Sequence, residues 1–157
     1  MGDDQPTFNT LLNLKKLTMA YNESLRLYPP GPMMLRETDK ETEIGGYYIP
    51  RNTVISMPTY AMHRHAKYWP DPDAFKPFER WSEEAISKRS KFVFFPFGIG
   101  PRSCIGFRFA EIEAKIVLLQ LLRHFKFELT PGQDPLRLRS GITMGPANGV
   151  KVKVSLR

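Results

Sequence analysis

Proline and glycine set the strongest limit on how this chain can fold. The 157 residues include 14 prolines and 11 glycines, and both residue types interrupt regular secondary structure. The sequence therefore predicts many short segments joined by loops and turns, with a modest helix content. Hydrophobic residues make up 41% of the chain and charged residues 25%, which is ordinary for a folded globular protein with one core.

Two proline-free stretches have the periodicity of amphipathic helices. The first should run from about Leu11 to Leu27 and end before Pro29–Pro30, with an apolar stripe at spacings of three and four: Leu14, Leu17, Tyr21, Leu25 and Tyr28. The second covers 107–125, and its heavily apolar end indicates burial on several sides. Its apolar face consists of Phe109, Ile112, Ile116, Leu119 and Leu122.

Short strands and an irregular segment are expected elsewhere. Tyr47–Ile49 and Thr53–Met57 are β-branched and aromatic runs bounded by glycine and proline, which predicts a hairpin of short strands between Glu41 and Pro58. Residues 66–82 contain three prolines, too many for a helix interior or a central strand, and predict an ordered loop pinned by aromatic side chains. Strands return after Pro131–Gly132 and end on the alternating 150–154.

Charge and the N-terminal sequence exclude some classes of protein. The net charge is +7, but the basic residues form no run of five or more, which argues against a nucleic-acid partner. An anionic redox partner or a ligand with carboxylates accounts for the same charge. The first residues lack the features of a signal peptide, and no apolar stretch could span a membrane, so we expect no targeting segment in this chain.

The single cysteine, Cys104, is the residue with the clearest chemistry. One cysteine excludes an internal disulfide, so Cys104 is an inert buried residue, a nucleophile or a metal ligand. It follows a glycine- and proline-rich turn at the start of the second predicted helix, where the helix dipole favours thiolate over thiol. The glycines Gly98, Gly100 and Gly106 have no side chains, so a large flat ligand could approach the backbone.

The segment Phe97-Gly98-Ile99-Gly100-Pro101-Arg102-Ser103-Cys104-Ile105-Gly106 resembles the haem-ligand signature F-x-x-G-x-x-x-C-x-G of the cytochromes P450. The resemblance implies that Cys104 is the axial thiolate ligand of the haem iron, with Phe97, Gly98 and Gly106 forming the cofactor-binding turn. It also implies that Arg102 pairs with a haem propionate. An ordinary surface arginine is the alternative for Arg102.

Further motifs of the family occur in the same order. Glu23-Ser24-Leu25-Arg26 matches E-x-x-R, whose spacing puts both side chains on one helix face. The resemblance assigns Glu23, Arg26 and Arg80 to a buried ionic cluster that locks the loop onto the helix. The loop motif departs from the family pattern, because one additional residue separates Pro77 from Arg80. Arg36 lies where many microsomal members have a second propionate-pairing base.

The sequence is less specific about the two neighbouring histidines and about a possible substrate pocket. His63 and His65 flank Arg64 in a segment similar to the family's Y-A-x-H-R, so a structural or surface role is expected rather than a metal pair. Apolar residues aligned with substrate-pocket segments could equally be ordinary core: Pro32, Met33, Met34, Leu35, Ile142, Thr143 and Met144.

The resemblance implies an α+β, mainly helical fold, with two principal helices, short β-hairpins and a long ordered loop before the cysteine. Residues 1–157 would form the C-terminal haem-binding portion of a microsomal P450 domain, without its N-terminal two-thirds. The implied cofactor is haem b, with electrons from NADPH through a reductase on the basic proximal face, and the substrate is a small apolar molecule. The full-length protein would lie on the cytosolic face of the endoplasmic reticulum, with membrane contact only through the missing N-terminal part.

Two alternatives belong to other functional classes. The chain could be a truncated, non-catalytic haem-binding or interaction module that retains the cysteine motif. It could also be a basic interaction domain with a structural cysteine, which predicts no haem affinity.

Overall fold

The computed structural model describes residues 6–133 and 135–157, so the first residues of the chain, Met1–Gln5, lie outside it. The fold is α+β, as the sequence predicts, and two helices are much longer than the others. The helices are α1 (Phe8–Leu12), α2 (Lys15–Leu27), α3 (Thr59–Met62), α4 (Pro77–Arg80), α5 (Glu83–Lys88) and α6 (Phe107–His124). Within the described ranges no helix is long and apolar enough to cross a membrane.

Within residues 6–133 and 135–157 the strands form four antiparallel pairs. They are β1 (Met34–Glu37) with β4 (Val54–Met57), β2 (Thr42–Ile44) with β3 (Tyr47–Ile49), β5 (Phe125–Leu129) with β8 (Val152–Leu156), and β6 (Leu138–Ser140) with β7 (Met144–Pro146). The predicted hairpin between 41 and 58 is therefore wrong in its pairing, because β3 and β4 each pair with an earlier strand. Gly45 and Gly46, at φ +59° and +84°, form the turn between β2 and β3, a conformation that favours glycine.

The first predicted helix is divided in two. Helix α2 ends at Leu27 as expected, but it begins at Lys15 rather than near Leu11. Helix α1 precedes it, and the break falls at Asn13 and Leu14, where the ψ angle of Leu14 is 61°. Asparagine favours helix ends because its side chain competes for backbone hydrogen bonds. The prediction used only the spacing of apolar residues, which continues across Asn13, and therefore missed the break.

Helix α6 has nearly the predicted bounds but not the predicted burial. Lys115 is its only buried residue. Phe109 is 71% exposed and Val117 50% exposed, so burial on several sides is contradicted for the described chain. The apolar face is present, but the described residues do not cover it.

The core lies under the proline-rich loop. Trp69, Trp81 and Val93 are buried, and Phe94 packs against them with its ring centroid 4.5 Å from that of Trp81. Helix α2 contributes Met19 from the other side. The loop at 66–82 is thus ordered and held by aromatic side chains, in agreement with the sequence prediction.

A buried carboxylate joins α2 to this loop. Glu23 is fully buried and accepts hydrogen bonds from Arg26 Nε at 3.0 Å and Nη2 at 2.9 Å. It also accepts from Arg80 Nη1 at 2.5 Å, from the Trp81 indole N–H at 2.9 Å and from the Lys76 backbone N–H at 3.0 Å. Residues 76–81 therefore converge on one side chain of α2. The additional residue before Arg80 is accommodated in the short helix α4.

The two arginines extend the cluster to the loop backbone. Arg26 donates to the carbonyls of His63, Pro72 and Ala74 at 2.7–3.2 Å, so its five N–H groups are all used. Arg80 donates to the carbonyls of Pro70, Asp71 and Ala74, each at 2.6 Å. Many carbonyls of a loop without regular structure are thus satisfied by guanidinium groups.

Two pKa values reflect this burial. Burial raises the pKa of Glu23, but hydrogen bonds from Arg26, Lys76 and Trp81 outweigh it and lower that pKa to about 2. Burial lowers the pKa of His63 to about 4, and the positive charge of Arg26 contributes in the same direction. His63 is therefore neutral at pH 7, and its Nε2 accepts a hydrogen bond from the Phe95 N–H at 3.0 Å.

Replacing Glu23 by glutamine should strongly destabilise the protein. Glu23→Gln keeps the shape of the side chain but leaves two buried guanidinium groups without a counter-charge, which costs about 3–5 kcal/mol. The measurement is the free energy of unfolding in urea at pH 7. Glu113→Gln, on the exposed side of α6, is the matched control. Equal effects of the two substitutions would contradict the role of Glu23.

Acid should destabilise the protein in two stages. The pKa of His63 is lowered from 6.5 to about 4, so the unfolded chain binds the extra proton and stability falls as the pH falls from 6.5 to 4. The pKa of Glu23 is lowered to about 2, so its contribution is complete above about pH 4.5 and is lost as the pH falls to 2. The measurement is the midpoint of urea unfolding as a function of pH. His63→Gln should reduce the slope of this curve between pH 6.5 and 4, whereas His65→Gln, at an exposed position, should leave the slope unchanged. An unchanged slope in His63→Gln would refute the assignment.

Candidate functional site

Cys104 is presented by a closed turn. Its backbone N–H donates to the carbonyl of Phe97 at 2.8 Å, and the Ser103 N–H donates to the carbonyl of Gly100 at 3.0 Å. Gly98 and Gly100 have φ angles of +80° and +79°, which glycine adopts without strain. The turn leaves the Cys104 side chain exposed to solvent. The inert, buried cysteine considered from the sequence is therefore not found.

The turn leads into α6. Helix α6 begins at Phe107, after Gly106 as its N-cap residue, so Cys104 precedes the helix rather than belonging to its first turn. A β-carbon at Gly106 would lie 3.8 Å from the Cys104 sulfur. This is an ordinary van der Waals distance, so a small side chain at this position would lie in contact with the thiol.

Cys104 opens into a cavity of about 350 Å³. Five of the residues predicted as a cofactor site line it together: Arg36, Phe97, Gly98, Arg102 and Cys104. The others that line it come from the segment after α2 and from the residue before the turn: Pro30, Gly31, Met34 and Pro96. Residues as distant in sequence as Pro30 and Cys104 thus line the same cavity.

Arg36 reaches the cavity from strand β1, which the pairing with β4 fixes in register opposite Ile55. Its Nη2 donates to the Arg102 carbonyl at 3.3 Å and its Nη1 to the Leu35 carbonyl at 2.8 Å. Arg102 lies in the 3-10 turn Gly100–Arg102 and is exposed. The two guanidinium groups therefore come from different elements and border the same cavity as the thiol.

This set of groups fits an iron porphyrin on its proximal side. A thiolate is a soft ligand for iron, and guanidinium groups pair well with carboxylates such as the propionates of haem. Among the described residues no group of three His, Cys, Asp or Glu side chains is close enough to hold a metal ion. Within those residues Cys104 can therefore act as a single axial ligand, but not as part of a multidentate metal site.

Met34 packs against the cysteine turn, a contact that the sequence did not indicate. Its sulfur would lie 3.4 Å from a β-carbon at Gly98, so the Met34 side chain of β1 packs directly on the turn. Pro30 was also not predicted, although its carbonyl accepts a hydrogen bond from the Met144 N–H at 2.7 Å. This bond joins the two segments that the sequence aligned with a substrate pocket, 30–35 and 142–144. Ile142 itself is 98% exposed and is not packed in the core.

Gly106 adjoins Cys104, whereas the predicted ion cluster and the two histidines do not line the cavity. Glu23, Arg26 and Arg80 form the buried cluster described above. His63 is buried against the Phe94 and Phe95 rings, whereas exposed His65 accepts a hydrogen bond from the Lys67 N–H.

Comparison with known proteins agrees with these features. Residues 1–154 match the family model of the cytochromes P450. The chain is 40% identical to cytochrome P450 3A17 of Cavia porcellus over 97% of its length, and 39% identical to cytochrome P450 3A1 of Rattus norvegicus over 95%. It is also 39% identical to cytochrome P450 3A6 of Oryctolagus cuniculus over 96%.

In each of these three comparisons the chain covers 30% of the relative's length. The family match nevertheless extends from residue 1 to residue 154 and includes both the cysteine turn and the buried cluster. The chain therefore belongs to the cytochrome P450 family.

Proposed function

We propose that this chain is the haem-binding C-terminal portion of a P450 monooxygenase, with the Cys104 thiolate as the axial ligand of the iron. One observation carries the proposal: the only thiol of the chain and two guanidinium groups open into the same cavity. In the complete enzyme, haem b supplies the activation of O2 that inserts one oxygen atom into an apolar substrate.

Cys104 holds its position through the backbone. The hydrogen bond from its N–H to the Phe97 carbonyl closes the turn, and the Cys104 side chain is exposed at its end. A ligand held by the backbone loses little conformational freedom on binding, which favours affinity.

Arg36 and Arg102 orient the cofactor by pairing with its propionates. The backbone carbonyl of Arg102 accepts from Nη2 of Arg36, which joins the Arg36 side chain to the turn that carries Arg102. The remaining N–H groups of both arginines are available for carboxylates, where hydrogen bonds assisted by charge are strongest.

The partners follow from the family and from the charge. Electrons come from NADPH through a reductase that docks on the basic proximal face, in accord with the net charge of +7. The substrate is a small apolar molecule. The full-length protein lies on the cytosolic face of the endoplasmic reticulum membrane.

A second candidate is a haem-binding module without catalysis. It is favoured by the composition of the cavity, because none of the residues that line it carries a carboxyl, hydroxyl or imidazole group. The cavity would therefore supply the iron ligand and the propionate partners that haem binding needs, but no group for the proton transfer that oxygen chemistry needs elsewhere around the iron.

Replacing Cys104 by serine tests the proposed ligand. In the full-length protein, Cys104→Ser should abolish the thiolate-type absorption spectrum of the reduced carbonyl complex, because a serine hydroxyl does not replace a thiolate on iron. Ser103→Ala is the matched control, since it changes the neighbouring side chain and retains the turn. A spectrum unchanged in Cys104→Ser would disprove the assignment.

Residues 1–157 supplied alone should not oxidise a substrate, even with haem, a reductase and NADPH present. The cavity at Cys104 would hold only the thiolate side of the haem, and the exposed apolar face of α6 favours aggregation or a loose state. The measurement is product formation from an apolar test substrate. Turnover that depends on substrate and disappears in Cys104→Ser would overturn this expectation and remove the case for the second candidate.

A further inference from the structure

A second cavity, of about 590 Å³, lies beside the proline-rich loop. It is formed by residues 67–90, whereas the Cys104 cavity is lined by residues of 30–36 and 96–104. The two cavities share no lining residue. The cavity at 67–90 therefore needs its own explanation.

Its lining is strongly basic. Five cationic residues line it, against the single acid Glu79: Lys67, Lys76, Arg80, Lys88 and Arg89. Two of the lysines have partners at the surface, since Lys76 pairs with Asp71 at 2.7 Å and Lys88 with Glu84 at 2.5 Å. Exposed pairs of this kind are weak and exchange readily for a better anion.

Arg89 is the innermost cation with donors to spare. It is half-buried, and its guanidinium lies 4.4 Å from the ring centres of both Trp69 and Trp81. Within the described chain it makes one hydrogen bond, from Nη1 to the Arg80 carbonyl at 2.9 Å. A guanidinium has five N–H groups, so most donors of Arg89 remain for a ligand.

The buried charge behind Arg89 is unbalanced. Glu23 is the one carboxylate of a cluster that contains Arg26 and Arg80, and its oxygens are already occupied by their N–H groups and others. Burial lowers the pKa of Arg89; Glu23 opposes this change, whereas Arg26 and Arg80 add to it. An anion in the cavity would offset this surplus of positive charge.

We propose that the cavity at 67–90 binds a small phosphate-bearing molecule through Arg89, with Lys67 and Lys88 at its rim. Guanidinium and ammonium groups together are suited to phosphate oxygens. The concave shape and recessed Arg89 favour a small ligand over a flat protein surface. The phosphate could belong to a soluble metabolite or to a lipid headgroup, which share this chemistry.

The test uses inorganic diphosphate as the probe. Calorimetric titration of the folded haem protein should show saturable binding that sodium chloride of equal ionic strength does not reproduce. The double variant Lys67→Gln/Lys88→Gln should raise the Kd roughly tenfold, the effect of losing charge-assisted hydrogen bonds. Arg89→Gln should abolish binding. Because Arg89 also packs on Trp69 and Trp81, this substitution could unfold the protein, whereas the lysine variant changes only residues at the rim of the cavity.

The matched control is Lys126→Gln/Lys153→Gln, which removes the same charge from the β5–β8 pair. Equal weakening by both double variants, or equal heats in sodium chloride, would overturn the proposal. So would loss of reductase binding in Lys67→Gln/Lys88→Gln without any diphosphate binding, since that result assigns the surface to a protein. Binding to vesicles of phosphatidylcholine with phosphatidic acid, competed by diphosphate, supports a lipid source; diphosphate binding without vesicle binding supports a soluble one.

Discussion

The pairing of the buried Glu23 carboxylate with Arg26 and Arg80 is the interaction on which the rest of this structure depends. The chain at 63–76, between α3 and α4, contains no helix or strand, so its carbonyl groups cannot all be satisfied by regular secondary structure. Glu23 fixes Arg26 and Arg80, and these two guanidinium groups donate to the carbonyls of five loop residues: His63, Pro70, Asp71, Pro72 and Ala74. A single buried charge thus organises a long irregular segment. Its removal leaves buried cations, which costs far more than an exposed ion pair contributes.

The same cluster fixes the approach to the cysteine turn. Arg26 binds the carbonyl of His63, and the imidazole of His63 accepts a hydrogen bond from the backbone of Phe95. Phe94 packs on Trp81, which donates to Glu23. Residues 94 and 95 are therefore held on two sides just before the turn begins. The segment that leads to Cys104 is therefore positioned by the same buried contacts that stabilise the loop.

The elements with a strong local signal were predictable from the sequence. Apolar periodicity located α2 and α6, and the spacing of Glu23 and Arg26 put both on one helix face. The pairing of β1 with β4 was not predictable, because Met34–Glu37 has a mixed composition and its partner lies beyond another hairpin. Burial of α6 was predicted wrongly, since periodicity shows that a face is apolar and not what covers it. The proximity of Arg36 to Arg102 depends on long-range packing, so only the family resemblance indicated it; the role of both arginines stays a prediction.

Hydrogen-bond satisfaction separates the structural arginines from those available for ligands. Arg26 uses all five of its N–H groups within the protein, and Arg80 directs four bonds to Glu23 and the loop. These groups have little left to offer a ligand, however close a cavity lies. Arg36 and Arg89 are different, because each has donors that the described residues leave open. Since an open donor next to a cavity gains most from an incoming anion, Arg36 and Arg89 are the arginines from which ligand recognition is proposed, and the buried cluster of Glu23, Arg26 and Arg80 has a structural role.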